Sequence, residues 1–118
     1  MRYSLLVTAG PESPAAASAL HMAKALLARD HALFRIFFYR QGVHLASADN
    51  RVAADNTDIC AQWRAFLREQ EVEAVVCVGA AQRRGLDSDK LAAGFSLAGL
   101  GLWAEAVAVS DRVLSFGA

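Results

Sequence analysis

Cysteine and proline are scarce in this sequence, and charge of neither sign is in excess. Two cysteines and two prolines occur in 118 residues, and twelve basic residues balance twelve acidic ones. That balance argues against a direct, tight nucleic-acid binder, which would show a basic stripe collecting phosphate contacts. No polybasic stretch suits a membrane surface. No apolar run reaches the ~18 residues of a membrane span, because Glu105 interrupts the best candidate near the C-terminus. The apolar stretch within the opening YSLLVTAG is only about half the ~7–15 residues that a signal-peptide core needs, and Pro11 and Glu12 follow at once. The absence of any CxxC or Cys/His cluster argues against a zinc site and against a disulfide framework. Reduced thiols in the cytoplasm are the expectation. With no GxGxxG and no Walker lysine, no cofactor is called for.

What is present is largely apolar. The length suits one domain, residues 1–118, since domains most often run to ~100–150 residues. Such a chain buries roughly two thirds of its unfolded surface, enough for a core without disulfide or metal support. Its apolar share of 55% is high for this length, so part of it is available for a partner's surface. Acidic and basic residues mostly alternate in sign, as on a solvated exterior.

Residues 3–9 (YSLLVTA) read as a strand closed by Gly10-Pro11. Ser13 can cap a helix with Pro14 in its first position, continuing through an alanine-rich stretch to Arg29. LFRIFFY at 33–39 is a second strand, and 43–56 reads as a long irregular loop. Asn56 or Thr57 can cap a second helix to about Gln70, with Ile59, Cys60, Trp63, Phe66 and Leu67 in one apolar stripe. Residues 72–78 form a third strand, 82–90 are polar, 91–109 read as mostly helical, and 112–116 form a last strand. Strands alternating with helices predict an α/β fold with a mostly parallel sheet.

Within AVVCVGAAQRRG at 74–85, Cys77 falls at the carboxyl end of its strand, the edge where parallel sheets gather their chemistry. Gly79, Ala80 and Ala81 would let another molecule approach. Arg83 and Arg84 follow, in a possible first helical turn, and positive charge and helix N-termini both favour a reactive thiolate. The competing reading is a buried structural cysteine, a common fate for this residue. Cys60, inside an apolar stripe, reads as packing, with a resolving thiol as the alternative. Residues 10–14 can shape a site through free amides at a helix start or serve only as a capped turn. His21, His31 and His44 share no ligand spacing, and His44 in the long loop is best placed to approach a site. No base and no Ser-His-Asp arrangement can be assigned. That favours sulfur exchange over hydrolysis. The stretch 94–117, with Phe95, Leu97, Leu100, Leu102 and Trp103, is either core or subunit interface, so the chain alone is expected to be incompletely satisfied.

Five stretches together resemble the DsrE/TusD family of small sulfurtransferase subunits, closer to its TusD branch than to the wider family. They are MRYSLLVTAGP, FFYRQGV, VCVGAAQRRG, GFSLAGLGLWAEA and SDRVLSFG, in the family's order across almost the whole chain. The resemblance implies a three-layer α/β/α sandwich around a mostly parallel sheet of four to five strands, as in DsrEFH proteins. It implies a heterohexamer with TusB-like and TusC-like subunits. It implies a persulfide on Cys77, received from a TusA-like carrier and passed to a TusE-like acceptor for 2-thiolation of the tRNA wobble uridine, without direct nucleic-acid contact. Arg83 and Arg84 would hold the anionic sulfur or a partner's acidic surface. One departure is the segment between Arg84 and Gly94, shorter than in TusD sequences, which bears on docking and access to Cys77. Two alternatives stay open: a DsrE-type subunit of a DsrEFH complex in dissimilatory sulfur oxidation, and a non-catalytic scaffold subunit of the same hetero-oligomer. An independent cysteine hydrolase, lacking an assignable base, ranks last.

Overall fold

A computed structural model describes residues 1–48 and 58–117 of the chain. In chain order it contains β1 (Arg2–Val7), α1 (Pro14–Ala28), β2 (Ala32–Phe38), α2 (Ile59–Glu69), β3 (Glu73–Cys77), α3 (Val78–Arg83), β4 (Phe95–Ala98), α4 (Gly101–Val109) and β5 (Arg112–Phe116). Two 3-10 segments, Arg40–Ala46 and Ser88–Lys90, complete it. The five strands form one sheet in the order β4-β3-β2-β1-β5, and every pairing is parallel.

The strand order dictates the layers. The chain steps β1 to β4 in one direction, then returns across the sheet to place β5 beside β1. Right-handed crossovers put the helices of the forward steps on one face and the helix of the return step on the other. Accordingly α1 and α2 pack together on one face, and α4 lies on the opposite one, against β1 and β2. Neighbouring residues of β2 report both layers, since successive strand residues point to opposite faces. Phe38 meets Trp63 of α2 edge to face at 5.2 Å, while Phe37 meets Trp103 of α4 at 6.1 Å.

Local chemistry sets most of the boundaries. Ser13 caps α1 by accepting from the Ala15 amide, with Pro14 as the first helical residue. The helix ends in a Schellman turn: Asp30 stands at φ 62, its amide donates to Leu27, and the His31 amide donates to Leu26. α2 is capped by Asp58, whose carboxylate accepts from the Cys60 and Ala61 amides. The expected caps, Asn56 and Thr57, lie outside the described residues. The stripe Ile59, Cys60, Trp63, Phe66, Leu67 is buried throughout.

Two stretches differ from expectation. Residues 43–46 are not irregular: they belong to the 3-10 segment Arg40–Ala46, and 49–56 lie outside the described residues. Gly42 makes this segment possible, because a Cβ there would stand 2.1 Å from the Val7 carbonyl oxygen. The segment therefore sits tightly over the carboxyl end of β1. Residues 91–109 are not one helical stretch either. Phe95–Ala98 forms the edge strand β4, entered through Gly94 at φ 99, and the helix begins only at Gly101.

A buried cation ties α4 to the sheet. Arg35 on β2 is 5% exposed and donates to Glu73 (2.6 Å), to Glu105 (2.7 Å) and to the Leu102 carbonyl (2.7 Å). Burial alone would lower its pKa, but hydrogen bonds to Glu105 and Glu73 outweigh that and raise it. Its guanidinium also stacks over Phe34 at 4.8 Å. No helix among the described residues is long and apolar enough to cross a membrane.

Candidate functional site

β3 carries Cys77 to the carboxyl edge of the sheet, where it is both the last strand residue and the cap position of α3. Its strand partner is Ala98 of β4. Paired residues of a parallel sheet share a face and alternate along the strand. Glu73, Val75 and Cys77 therefore share the face on which Arg35 joins Glu73 to α4. Cys77 is only 4% exposed, so the backbone stands at the edge while the sulfur turns inward.

The small residues after Cys77 divide in role. Ala80 and Ala81 are fully buried and press α3 against the body of the protein. They do not open a path for another molecule, as the sequence had suggested. Gly79 alone stays half open. Packing of α3 against the segment Arg40–Ala46 completes this edge, and that segment holds His44. His44 is thus the histidine carried toward the Cys77 edge. His31 lies at the opposite end of the sheet, beside the Met1 amino group and Tyr3. His21 lines a shallow cavity of ≈ 440 Å³ with Glu12, Ser13, Ile59 and Gln62, and Cys77 does not border it. Residues 10–14 thus contribute a capped turn and one wall of that cavity.

The arginines stand in the last turn of α3, not its first, because the helix begins directly after Cys77. Arg84 and Gly85 are its stop signal. The Gly85 amide donates to Gln82 (3.1 Å) and the Leu86 amide to Ala81 (2.9 Å), with Gly85 at φ 73 and Leu86 buried against the turn. That is a complete Schellman motif. Arg84 Nη1 donates to the Ala80 carbonyl at 3.1 Å, and its Nε is buried without a partner among the described residues. Arg83 is exposed, and its Nη1 lies 3.6 Å from where a Cβ on Gly79 would stand.

Cys60 is fully buried on α2, whose layer is across the sheet from the face Cys77 takes. Neither cysteine is in a disulfide. The structure therefore does not assemble Cys60 as a resolving thiol for Cys77. Sequence reading missed the other wall of the site. Because β4 pairs with β3, Ala98 stands beside Cys77, and Gly99 and Leu100, the latter 49% exposed, follow it in the chain at that edge. The signal was the alternation of Phe95 and Leu97 with Ser96 and Ala98 between two glycines. Among the described residues, this edge brings together one sulfur, the exposed Arg83 of α3, the exposed Leu100 and the segment that holds His44.

Known proteins agree with this architecture. The DsrE/DsrF-like family matches residues 1–116. A sulfurtransferase TusD homolog from Pseudomonas aeruginosa is 38% identical, with 99% of this chain and 98% of that protein covered. Sulfurtransferase TusD from Cronobacter sakazakii is 41% identical, and that from Salmonella arizonae 40%, each covering 98% of this chain and 100% of the relative. Among solved structures, the ychN protein from E. coli superposes with a TM-score of 0.82 at 23% identity, over 98% of this chain and all of that one. A Methanobacterium thermoautotrophicum protein of unknown function gives 0.70 at 14% identity, over 96% of this chain and 97% of its own. Those two likenesses concern the fold, whereas the matches of sequence reach further: this chain belongs to the DsrE/DsrF-like family.

Proposed function

We propose that this sulfurtransferase carries sulfur as a persulfide on Cys77. The thiolate of Cys77 attacks the terminal sulfur of a donor persulfide, forming the new S–S bond, and the donor's thiolate leaves. An acceptor thiolate then attacks the terminal sulfur of Cys77-S-SH, and the Cys77 thiolate leaves. Each step exchanges one sulfur–sulfur bond for another, so no oxidant, reductant or metal is consumed. One observation carries the reading: Cys77 stands at the carboxyl edge of a parallel sheet, in a chain about 40% identical over nearly its whole length to sulfurtransferases named TusD.

The finer assignment follows that likeness. A TusA-like carrier is the donor, a TusE-like protein the acceptor, and 2-thiolation of the tRNA wobble uridine the destination. TusB-like and TusC-like subunits complete a heterohexamer in the cytoplasm. The zero net charge suits a subunit that hands sulfur between proteins and leaves RNA to others. The exposed apolar side chains of Leu100, Val107, Val109 and Val113 suit a chain with partner subunits on that side. Supporting charge comes from within the Arg83–Arg84 pair.

The test is intact-protein mass after incubation with a cysteine desulfurase, cysteine and the small carrier, with partner subunits present. A reductant-labile gain of one sulfur atom, absent from Cys77→Ser, is the expected result. No gain in the wild type sinks the proposal. A second reading has its own observation: with 4% exposure, Cys77 is buried as a scaffold's core cysteine would be. Labelling of Cys77 no faster than that of Cys60, with partners bound, would favour the scaffold.

A further inference from the structure

We infer that Arg83, and not Arg84, is the cation presented to the sulfur of Cys77. Side chains on a helix lean toward its N-terminus, so residues four apart overlap along one face. Arg83 follows Gly79 by four, and Gly79 has no side chain to obstruct it. The guanidinium of Arg83 accordingly lies back over the first turn of α3, 3.6 Å from the vacant Cβ position of Gly79. Cys77 is the cap residue of that same turn.

Arg84 leans the same way, but its Nη1 is held by the Ala80 carbonyl and its backbone forms the turn that ends α3, while its Nε is buried without a partner among the described residues. No ion pair engages Arg83 among the described residues, and residues 74–86 contain no carboxylate. Arg83 is therefore a solvent-facing positive charge left open at the Cys77 end of the helix. The doubled arginine thus separates into an anion contact and a helix stop. On the relay reading of Cys77, on which this assignment rests, the sulfur is anionic as it attacks and again as it leaves. Arg83 stabilises both states and selects for anionic sulfur species over neutral ones.

The test needs no sulfur donor. Cys77 of the folded protein is alkylated with iodoacetate, which is anionic, and with iodoacetamide, which is neutral, and the label is located by peptide mass to separate Cys77 from Cys60. In each case the thiolate sulfur forms a bond to carbon and iodide leaves. Arg83→Gln is expected to lower the iodoacetate-to-iodoacetamide rate ratio roughly two- to five-fold, the size of one partly exposed charge contact. Arg83→Lys should keep most of the ratio. Arg84→Gln should leave it unchanged while lowering the unfolding midpoint. An unchanged ratio in Arg83→Gln, or an equal fall in Arg84→Gln, overturns the assignment alone and leaves the relay standing. A wild-type Cys77 that neither reagent modifies, although both modify it once unfolded, overturns the relay and the assignment together.

Discussion

The fifteen residues of α1 and eleven of α2 close one face of the sheet, whereas the nine of α4 are, among the described residues, the only helix on the other. On the first face both helices are capped by side chains, and Trp63 is fully buried between Phe38 and Phe66. Trp63 also satisfies its indole N–H on the Ala16 carbonyl at 3.3 Å. On the second face α4 has no side-chain cap, buries only Ala106 completely, and leaves Val107, Val109 and its cap residue Leu100 exposed. All-parallel sheets are stable with both faces covered. The two-helix face meets that condition within this chain. The α4 face depends on one buried ionic anchor and on apolar surface that the chain itself does not cover.

The largest effect expected from this contrast is on the finished face. Trp63→Ala should cost ~3–5 kcal/mol, since it empties a closed site and strands two aromatic neighbours. Trp103→Ala, at a half-buried position, should cost about half as much. Urea denaturation of the two variants measures both. Equal losses would break the comparison, because they would make α4 as integral to the core as α2.

Arg35→Met comes next. Glu73 and Glu105 keep 46% and 54% of their side-chain surface exposed, so both can rehydrate once the guanidinium is gone. What remains is the loss of charge-assisted hydrogen bonds, ~1.5–3 kcal/mol. The location of the damage is the sharper readout. Amide exchange should rise in α4, which Arg35 holds through Leu102 and Glu105, and stay unchanged in α1. Uniform acceleration across both helices would mean that Arg35 supports the whole fold and not the attachment of α4.

The same contrast explains what the sequence made legible. Ser13-Pro14, the stripe from Ile59 to Leu67, and the apolar runs of β1, β2 and β3 belong to the finished face and the sheet centre. There burial follows the period of each element. Cys77 at the end of its strand was legible for that reason. β4 was not, because its four-residue alternation is too short to stand out inside a run apolar at nearly every position. The 3-10 segment Arg40–Ala46 escaped because it depends on a tertiary contact, Gly42 against the Val7 carbonyl, which no local pattern announces. The arginines were placed in the wrong turn because their role depends on where α3 begins. That start is set by the end of β3, one residue earlier than composition suggests.

The smallest effect concerns the outer surface of α4, and it separates a chain's own core from a surface meant for others. Leu100, Ala104 and Val107 recur at i, i+4 and i+7, the spacing of a single helical ridge, and all three are exposed. The one carboxylate on this helix, Glu105, is held by Arg35, so the ridge carries no competing charge of its own. Val107→Ser removes apolar surface that already faces water, and the isolated chain should change by less than ~0.5 kcal/mol, as surface substitutions do. If partner subunits cover the ridge, the same substitution buries a hydroxyl against an apolar surface in the assembly. Association should then weaken by about ten-fold, which corresponds to ~1.4 kcal/mol. Thermal unfolding of the chain alone and sedimentation with its partner subunits together decide the matter. A large loss in the chain alone with unchanged association would place the ridge in this chain's own fold, and the two faces would differ only in how many helices they carry.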